Sequence, residues 1–214
     1  MDGGTRFVGI VIYDEVEVLD VAGPFEVFSV ASRVARAGFG SAAPPFDVSL
    51  LSHDGAPVSA RNAFVMTPHH AIAEAPPLDV VIVPGGVQDA LETDPGVLAW
   101  IRSAVGSAEV VASVCTGAFV LAASGVLDGL EVTTHWEDAP ALAERYPAVR
   151  LRTDRRWIDH GRVATAAGIS AGIDLALHLV GRLTTADLAN ATARQMEYTP
   201  ADARSRDPGA QGIA

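Results

Sequence analysis

The sequence predicts an α/β fold in which a mostly parallel β-sheet is sandwiched between helices. Two patterns support this prediction: short β-branched apolar runs that fit strands buried on both faces, and segments of helical apolar spacing that alternate with them. Alternation of this kind favours parallel strands joined by crossover helices. The chain has 214 residues, 49% of them hydrophobic and 19% charged, which is typical of one globular domain with a sizeable core.

The first half of the chain begins with a predicted buried strand at residues 6–13, RFVGIVIY. The next predicted element is a helix that starts near Pro24, because proline suits a first helical turn, and that ends before Gly38. Its apolar residues, which include Phe25 and Phe28, keep helical spacing. Three further elements are predicted: a strand at 46–52, a small hairpin at 57–68 with Asn62 near its middle, and a strand at 78–86 that ends in Pro-Gly-Gly.

The second half continues the alternation and ends in a polar segment. A helix is predicted over 94–106, with Asp94 as its N-cap and Pro95 in its first turn. The remaining predicted elements are a strand at 108–115, helices at 116–125 and 137–146, strands at 149–154 and 157–167 around a turn, a helix at 168–184 and a helical segment at 186–198. No repeat or linker divides the chain, so we expect one domain over residues 5–200, followed by a polar tail at 201–214.

Charge and cysteine content limit the expected partners and compartment. The formal net charge of −11 repels phosphates and anionic lipid, so neither a nucleic acid nor a membrane partner is expected. The apolar runs stop well short of the ~20 residues of a membrane span, and the N-terminus shows no secretory signal. The single cysteine, Cys115, has no intramolecular disulfide partner, which favours a cytoplasmic protein. The arginine-rich segment 151–162 is interpreted as a solvated surface hairpin, with a contact to a partner or to an anionic ligand as the alternative.

Candidate site residues follow three of the predicted strands. Asp20 comes after the first strand, the Pro-Gly-Gly segment 84–86 ends the strand at 78–86, and Cys115 ends the strand at 108–115. In parallel sheets, ligands bind beyond the carboxyl ends of the strands. We therefore expect these residues to converge at one edge of the sheet.

Cys115 has two interpretations from its position alone. A thiol at a strand end that is followed directly by a helix faces the helix's unpaired N–H groups, which would lower its pKa and suit a nucleophile elbow. Gly117 and Ala118 leave room for close backbone packing there. Alternatively, Cys115 is a small buried apolar residue, a common role of free cysteine.

Several segments, taken together and in order, resemble one protein family. They are VEVLDVAGPFEVF (16–28), LDVVIVPGG (78–86), SVCTGAFVLAASGVLDG (113–129), TTHW (133–136), GISAGIDLAL (168–177) and QMEY (195–198). The chain is similar over residues 5–200 to the ThiJ/PfpI superfamily, and within it to the isocyanide hydratases. The resemblance implies a flavodoxin-like, class I glutamine amidotransferase-like fold with a strand–cysteine–helix elbow.

The resemblance also implies roles for individual residues. Cys115 matches the elbow nucleophile, and Asp20 matches the acid that hydrogen-bonds near the sulfur and transfers protons. Thr116 matches the threonine that follows the nucleophile in the hydratases. The backbone N–H groups around Gly86 and Thr116 would form the pocket that stabilises negative charge. The implied reaction is the cysteine-dependent hydration of isocyanides to N-substituted formamides.

The implied partners are a small-molecule substrate and a second copy of the chain. The superfamily is commonly dimeric, and the apolar first helix with Phe25 and Phe28 suits an interface. No cofactor is implied, because the dinucleotide and Walker phosphate-binding patterns are both absent. No set of Cys, His and carboxylate residues has the spacing of a zinc site, so no metal is expected.

Other interpretations stay open for several residues. Asp20 could instead cap the helix near Pro24, and Thr116 could cap the helix that follows it. His135 is interpreted as a structural or pocket-wall histidine. The reason is that the superfamily's histidine commonly follows the cysteine directly, where this chain has Thr116.

Two other functions also stay open. One is different cysteine chemistry in the same pocket, such as glyoxalase, deglycase or amidase activity. The other is sensing, either of a ligand, because AraC-type regulators carry a similar domain, or of oxidants through Cys115. The sequence given ends sixteen residues after QMEY, so DNA binding by this polypeptide alone is not expected.

Overall fold

A computed structural model describes residues 4–38 and 43–204 of the chain. Its strands are β1 (Arg6–Val11), β2 (Phe46–Ser52), β3 (Val58–Ala60), β4 (Phe64–Met66), β5 (His70–Ala71), β6 (Val80–Val83), β7 (Val110–Val114), β8 (Glu131–Val132), β9 (Arg150–Leu151), β10 (Trp157–Asp159) and β11 (Val163–Ala166). Its helices are α1 (Val18–Gly38), α2 (Asp89–Thr93), α3 (Pro95–Ser107), α4 (Gly117–Ala123), α5 (Ala139–Arg145), α6 (Ala171–Leu183) and α7 (Ala186–Gln195).

A seven-stranded central sheet has the order β10-β11-β7-β6-β1-β2-β5. Its neighbouring strands are parallel, except that β10 pairs with β11 in antiparallel fashion at one edge. In the middle of the sheet, β1 aligns Ile10 with Leu50 on one side and with Ile82 on the other. The predicted α/β fold with a mostly parallel sheet is confirmed.

The core lies against strands that are buried along their whole length. Every residue of β6, β7 and β11 is buried, as their apolar sequences predict for strands covered by helices on both faces. Helices α1, α6 and α7 pack against one another, and α2, α3 and α4 form a second group. Fully buried side chains such as Phe28, Ile101 and Leu179 stabilise the fold by about 25 cal/mol per Å² of apolar surface removed from water.

The first helix begins earlier than the sequence predicts. α1 starts at Val18, so Pro24 lies inside it rather than in its first turn. A proline there removes the N–H that would bond to the carbonyl of Asp20, and packing between helices compensates for this loss. A β-carbon at Gly172 of α6 would lie 3.4 Å from Pro24 Cγ, so the proline ring fits closely against α6. Asp20 therefore belongs to the first turn of α1.

Phe28 does not support the predicted dimer interface. Its side chain is fully buried, and its ring meets that of Phe46 edge to face with 4.9 Å between centroids. Phe25 is partly buried against the same core. The apolar face of α1 therefore packs inside the protein, because β2, α6 and α7 cover it.

The arginine-rich segment 151–162 forms the predicted surface hairpin only in part. β10 and β11 pair as a hairpin, but β9 pairs with β8 instead. Arg156 is mostly buried, and its Nε donates to Asp174 at 2.5 Å. Asp174 is itself buried, so this arginine neutralises an internal charge rather than lying in solvent.

Local turn and capping signals predict structure well in this chain, but they do not predict very short elements. The hairpin predicted at 57–68 is confirmed by antiparallel β3 and β4, with Asn62 at a φ of 56° between them. Asp94 caps α3 as predicted, since its Oδ1 accepts from the N–H groups of Gly96 and Val97 at 2.7 and 3.1 Å. The sequence did not predict α2 and β8, because they are too short to show a period.

The start of the predicted polar tail contacts the folded body. The N–H of Ala201 donates to Asp174 Oδ1 at 2.7 Å, and the carbonyl oxygen of Ala203 accepts from the N–H of Arg156 at 2.8 Å. The remainder of that tail, 205–214, lies outside the described residues. Within the described ranges, no helix combines the length and apolar character needed to cross a membrane.

Candidate active site

The chain segments that follow β1, β6 and β7 meet at one edge of the central sheet. Asp20 lies in α1 after β1, the Pro-Gly-Gly turn follows β6, and Cys115 follows β7. Asp20 Oδ2 accepts a hydrogen bond from the N–H of Gly85 at 2.9 Å. Thr116 Oγ1 accepts another from the N–H of Gly86 at 2.9 Å. These bonds join all three segments at one place in the fold.

Cys115 occupies an uncommon backbone conformation between β7 and α4. Its φ is 56°, in the left-handed region that non-glycine residues rarely adopt. Its N–H donates to the carbonyl oxygens of Ala166 and Ala167, and its carbonyl oxygen accepts from Thr134 Oγ1. The peptide groups on both sides of the residue are therefore held in place. A sharp turn of this kind between a strand and a helix is the geometry of a nucleophile elbow.

Two glycines allow the elbow to pack against the end of β6. A β-carbon at Gly117 would overlap the carbonyl oxygen of Val83, so the first residue of α4 has room for glycine alone. A β-carbon at Gly85 would lie 2.7 Å from the nitrogen of Thr116 and 2.8 Å from Cys115 Cβ. The elbow and the Pro-Gly-Gly turn are therefore in direct backbone contact.

The carboxyl group of Asp20 is completely buried beside the thiol. Its Oδ1 has no hydrogen-bond partner of normal geometry within the described part of the chain, although the Cys115 thiol is near enough to lower the carboxyl pKa. Burial has the largest effect and raises the pKa of Asp20 to about 7; the N–H of Gly85 opposes this shift and the charge of Glu17 adds to it. Near neutral pH, Asp20 therefore exchanges readily between its acid and carboxylate forms.

The pKa of the thiol is shifted in the direction opposite to the predicted one. Burial, followed by the negative charge of Asp20, raises the pKa of Cys115 to about 12. The N–H groups of Thr116 and Ile169 lower this pKa, but they do not offset the loss of hydration. The prediction of a lowered thiol pKa is therefore wrong for the resting protein, in which the sulfur keeps its proton.

Thr116 connects the elbow to the Pro-Gly-Gly turn and makes no side-chain cap bond to α4. Its Oγ1 accepts from the N–H of Gly86 at 2.9 Å and donates to the carbonyl oxygen of Gly86 at 3.1 Å. Because the N–H of Gly86 is engaged in this way, the N–H groups that act on the sulfur are those of Thr116 and Ile169. An anion-stabilising role for Gly86 stays a prediction.

Cys115 and Thr116 line a pocket of about 230 Å³. Its other lining residues are Glu17, Arg61, Gly86, His135, Glu137, Asp138 and Ile169. His135 is a wall residue: its Nδ1 lies 3.2 Å from Asp138 Oδ2, and a β-carbon at Gly168 would overlap its ring. A pocket of this size suits a small molecule. In the described part of the chain, no group of His, Cys, Asp and Glu residues is arranged to hold a metal ion.

Sequence reasoning missed two residues that interact with the Asp20–Cys115 pair. Tyr13 is buried and donates to the carbonyl oxygen of Pro84 at 3.0 Å. Burial, followed by the charges of Asp20 and Cys115, raises the pKa of Tyr13 well above its usual value. Ile169 has a φ of 49° and directs its N–H toward the sulfur. The sequence does carry a signal for Tyr13, which is a polar residue at the end of an apolar run, whereas no local pattern points to Ile169.

Fold and site together define a class of parallel-sheet proteins that hold a cysteine at a strand-to-helix elbow, with an acid beside it. The chain belongs to the DJ-1/PfpI family, whose family model matches residues 6–182. The resemblance to the ThiJ/PfpI superfamily is therefore confirmed.

Relatives of this chain include an enzyme and regulators. The isonitrile hydratase of Pseudomonas putida is 34% identical over 196 residues, which span 91% of this chain and 79% of that protein. The transcriptional regulator GbdR of Pseudomonas aeruginosa is 29% identical over 191 residues, which span 89% of this chain and 50% of the regulator. Among solved structures, a ThiJ/PfpI family protein from Pseudomonas syringae matches with a TM-score of 0.80 and 25% identity, over 97% of this chain and 80% of that one.

Proposed function

We propose that this protein hydrates isocyanides, also called isonitriles, to N-substituted formamides through the thiol of Cys115. The observation that carries the proposal is the pairing of a buried Asp20 carboxyl group, with a pKa of about 7, with the only cysteine of the chain. An isocyanide must gain a nucleophile and a proton on the same carbon, so a thiol and a proton carrier are both needed. The 34% identity to isonitrile hydratase supports the same activity.

In the first stage, Asp20 acts as a base and then as an acid. Its carboxylate takes the thiol proton while the sulfur attacks the terminal carbon, so no free thiolate has to accumulate despite the high pKa of Cys115. Attack leaves a lone pair on that carbon, and Asp20 returns the proton to it. The product is a thioimidate with one new C–S bond and one new C–H bond, and Asp20 is again a carboxylate.

In the second stage, water converts the thioimidate to the formamide. Water adds its oxygen to the C=N carbon, and the nitrogen gains a proton. The C–S bond then breaks as the hydroxyl becomes a carbonyl, and Asp20 carries the released proton to the sulfur. The N–H groups of Thr116 and Ile169, which act on the sulfur in the resting protein, stabilise the charge that develops on it as it leaves.

Incubation with cyclohexyl isocyanide and mass spectrometry of the products test this proposal. We expect one N-cyclohexylformamide for each isocyanide consumed, with one ¹⁸O incorporated from labelled water and one deuterium on the formyl carbon in D₂O. A parallel assay with methylglyoxal tests the glyoxalase alternative. Turnover of methylglyoxal to lactate without any formamide from the isocyanide would contradict the proposed reaction.

Ligand sensing is the second candidate function, because the match to the regulator GbdR spans 89% of this chain at 29% identity. A sensor would bind a small molecule and release it unchanged. Saturable binding of an isocyanide, with no formamide after many hours, would favour sensing over catalysis.

We also propose that the protein is a cytoplasmic homodimer. Several large apolar side chains are exposed in the described part of the chain, among them Leu19, Phe64, Val65, Val87 and Trp136, and burying some of them against a second copy would remove apolar surface from water. The unpaired cysteine suits the reducing cytoplasm. Light scattering during size-exclusion chromatography is expected to give twice the chain mass of 22.2 kDa. A mass of one chain at micromolar concentration would contradict the dimer.

A further inference from the structure

We propose that the rim of the Cys115 pocket selects against anions, so that the substrates are neutral or cationic small molecules. The rim consists of the ionisable residues among the pocket's lining, namely Glu17, Arg61, His135, Glu137 and Asp138. As a statement about isocyanides, this inference rests on the function proposed above. As a statement about the pocket, it depends only on the charges around the thiol.

The charges of the rim do not cancel. Arg61 Nε lies 3.4 Å from Glu17 Oε2, so these two side chains offset each other. His135 Nδ1 lies 3.2 Å from Asp138 Oδ2 and compensates its charge only when the imidazole is protonated. Glu137 forms no ion pair with any residue in the described ranges. With His135 neutral, three carboxylates face one guanidinium, and the rim keeps an excess of negative charge.

The rim charges act on the groups inside the pocket. The charge of Asp138 contributes to the raised pKa of Cys115, and the charge of Glu17 contributes to the raised pKa of Asp20. Arg61 lowers the pKa of Asp20, with a smaller effect than that of Glu17. Asp20 adds another negative charge whenever it ionises, and within the described residues its fully buried Oδ1 has no hydrogen-bond partner of normal geometry. An incoming carboxylate or phosphate therefore meets like charge at the rim and again beside the thiol, whereas a neutral isocyanide does not.

Alkylation of the only cysteine measures this charge preference directly. Iodoacetamide and iodoacetate carry the same leaving group and differ by one negative charge. Their rates with Cys115 are compared in the folded protein and in the urea-unfolded chain at the same pH and salt. We expect the iodoacetamide-to-iodoacetate rate ratio to be roughly five- to twentyfold higher in the folded protein at low salt, and to fall as salt rises.

Substitutions that each remove one rim charge test whether Glu137 and Asp138 cause the preference for the neutral reagent. Glu137→Gln and Asp138→Asn are each expected to lower the rate ratio by roughly two- to fivefold, mainly by raising the iodoacetate rate. Glu144→Gln removes an exposed carboxylate of α5 that does not line the pocket, and it should keep the wild-type ratio.

Three alkylation results would overturn the proposal. One is the same rate ratio in the folded and unfolded chains, and another is a ratio that neither rim substitution changes. The third is a folded protein whose Cys115 does not react with iodoacetamide at pH 8, where the Asp20 carboxylate can take the thiol proton during attack despite the high pKa of Cys115. A pocket that excludes this small neutral reagent does not fit the proposal.

A pair of isocyanides separates this proposal from the proposed activity. Methyl isocyanoacetate and isocyanoacetate carry the same reacting group and differ by one charge, and we expect the ester to have the higher kcat/KM by a similar factor. Glu137→Gln should narrow the difference. If neither compound is hydrated, the proposed activity fails while alkylation still decides the charge preference. If both are hydrated equally well, the charge preference fails while the activity stands.

Discussion

Burial makes it costly for Asp20 and Cys115 to be charged at the same time. Burial raises the pKa of Asp20 to about 7, and burial together with the Asp20 charge raises that of Cys115 to about 12. The resting protein therefore combines a thiol with a half-ionised carboxyl group near neutral pH. Such a pair delivers sulfur and proton together, and it disfavours oxidation, which requires a thiolate.

Replacing the nucleophile tests the role of the thiol. Cys115→Ala is expected to lower formamide production from cyclohexyl isocyanide by about 10³-fold or more, because no covalent intermediate can form. Alanine fills a similar volume, so the circular dichroism spectrum and the unfolding temperature should change little. Formamide yield is measured by mass spectrometry. Wild-type turnover in this variant would remove Cys115 from the mechanism.

The pH dependence tests the role of Asp20. Only the carboxylate accepts the thiol proton, so kcat/KM is expected to rise roughly tenfold between pH 6 and pH 8, with a midpoint near the pKa of about 7. Asp20→Asn should lower kcat/KM by on the order of 10²-fold or more and remove that midpoint. Glu26→Gln is the matched control, since Glu26 is an exposed carboxylate of the same helix. A midpoint that persists in Asp20→Asn would assign the titration to another group.

At the scale of elements, the contact between α4 and the end of β6 sets the position of the thiol. α4 begins directly after Cys115, and Gly117 faces the carbonyl oxygen of Val83 without space for a side chain. The bonds between Thr116 and Gly86 tie the same two elements together on the pocket side. The elbow therefore depends on the close approach of the two elements rather than on the helix alone.

Adding one methyl group at this contact tests its importance. Gly117→Ala forces α4 away from β6 and is expected to lower the free energy of unfolding by roughly 2–3 kcal/mol and to reduce turnover with it. Gly106→Ala is the control, because a β-carbon at this exposed position of α3 meets no atom within 4 Å. That control should stabilise the protein by about 0.5–1 kcal/mol. Urea unfolding measures both, and equal effects would contradict the packing argument.

For the whole molecule, the ionised form of the buried Asp20 carboxyl group is destabilising, and the apolar core offsets this cost. The folded state raises the pKa of Asp20 to about 7, whereas an exposed aspartate titrates near ~3.9. Because the folded pKa is the higher one, the folded chain binds the proton more tightly. The stabilisation from protonated Asp20 is therefore complete below the unfolded pKa and is lost as the pH rises through about 7.

Comparing the wild type with Asp20→Asn over a pH range isolates the contribution of Asp20 to the free energy of unfolding. Asparagine cannot ionise, so the free energy of unfolding of Asp20→Asn relative to wild type should rise by about 2–3 kcal/mol between pH 5 and pH 8. Urea denaturation at several pH values gives this difference, in which the titration of all other groups cancels. A difference that stays constant with pH would mean that Asp20 keeps an ordinary pKa in the folded protein.

Local sequence patterns predicted most of the fold and the candidate residues. Buried strands such as β6 and β7 appear as short apolar runs, and Asp94 and Asn62 carry their cap and turn signals in neighbouring residues. Asp20 and Cys115 lie in motifs that can be recognised from contiguous residues. Periodicity, turn chemistry and motifs are properties of a few consecutive residues, which is why the sequence alone determined them.

Only the tertiary structure decided the chemistry of the site. The bond from Gly85 to Asp20 joins residues 65 positions apart, and that from Gly86 to Thr116 joins residues 30 positions apart. The pKa values of Asp20 and Cys115 are raised chiefly by the loss of water around them. Hydration depends on how distant segments pack, and no run of neighbouring residues specifies it, so the expected low pKa of the thiol was wrong. The expected start of α1 was wrong because packing between helices compensates for the N–H that Pro24 lacks.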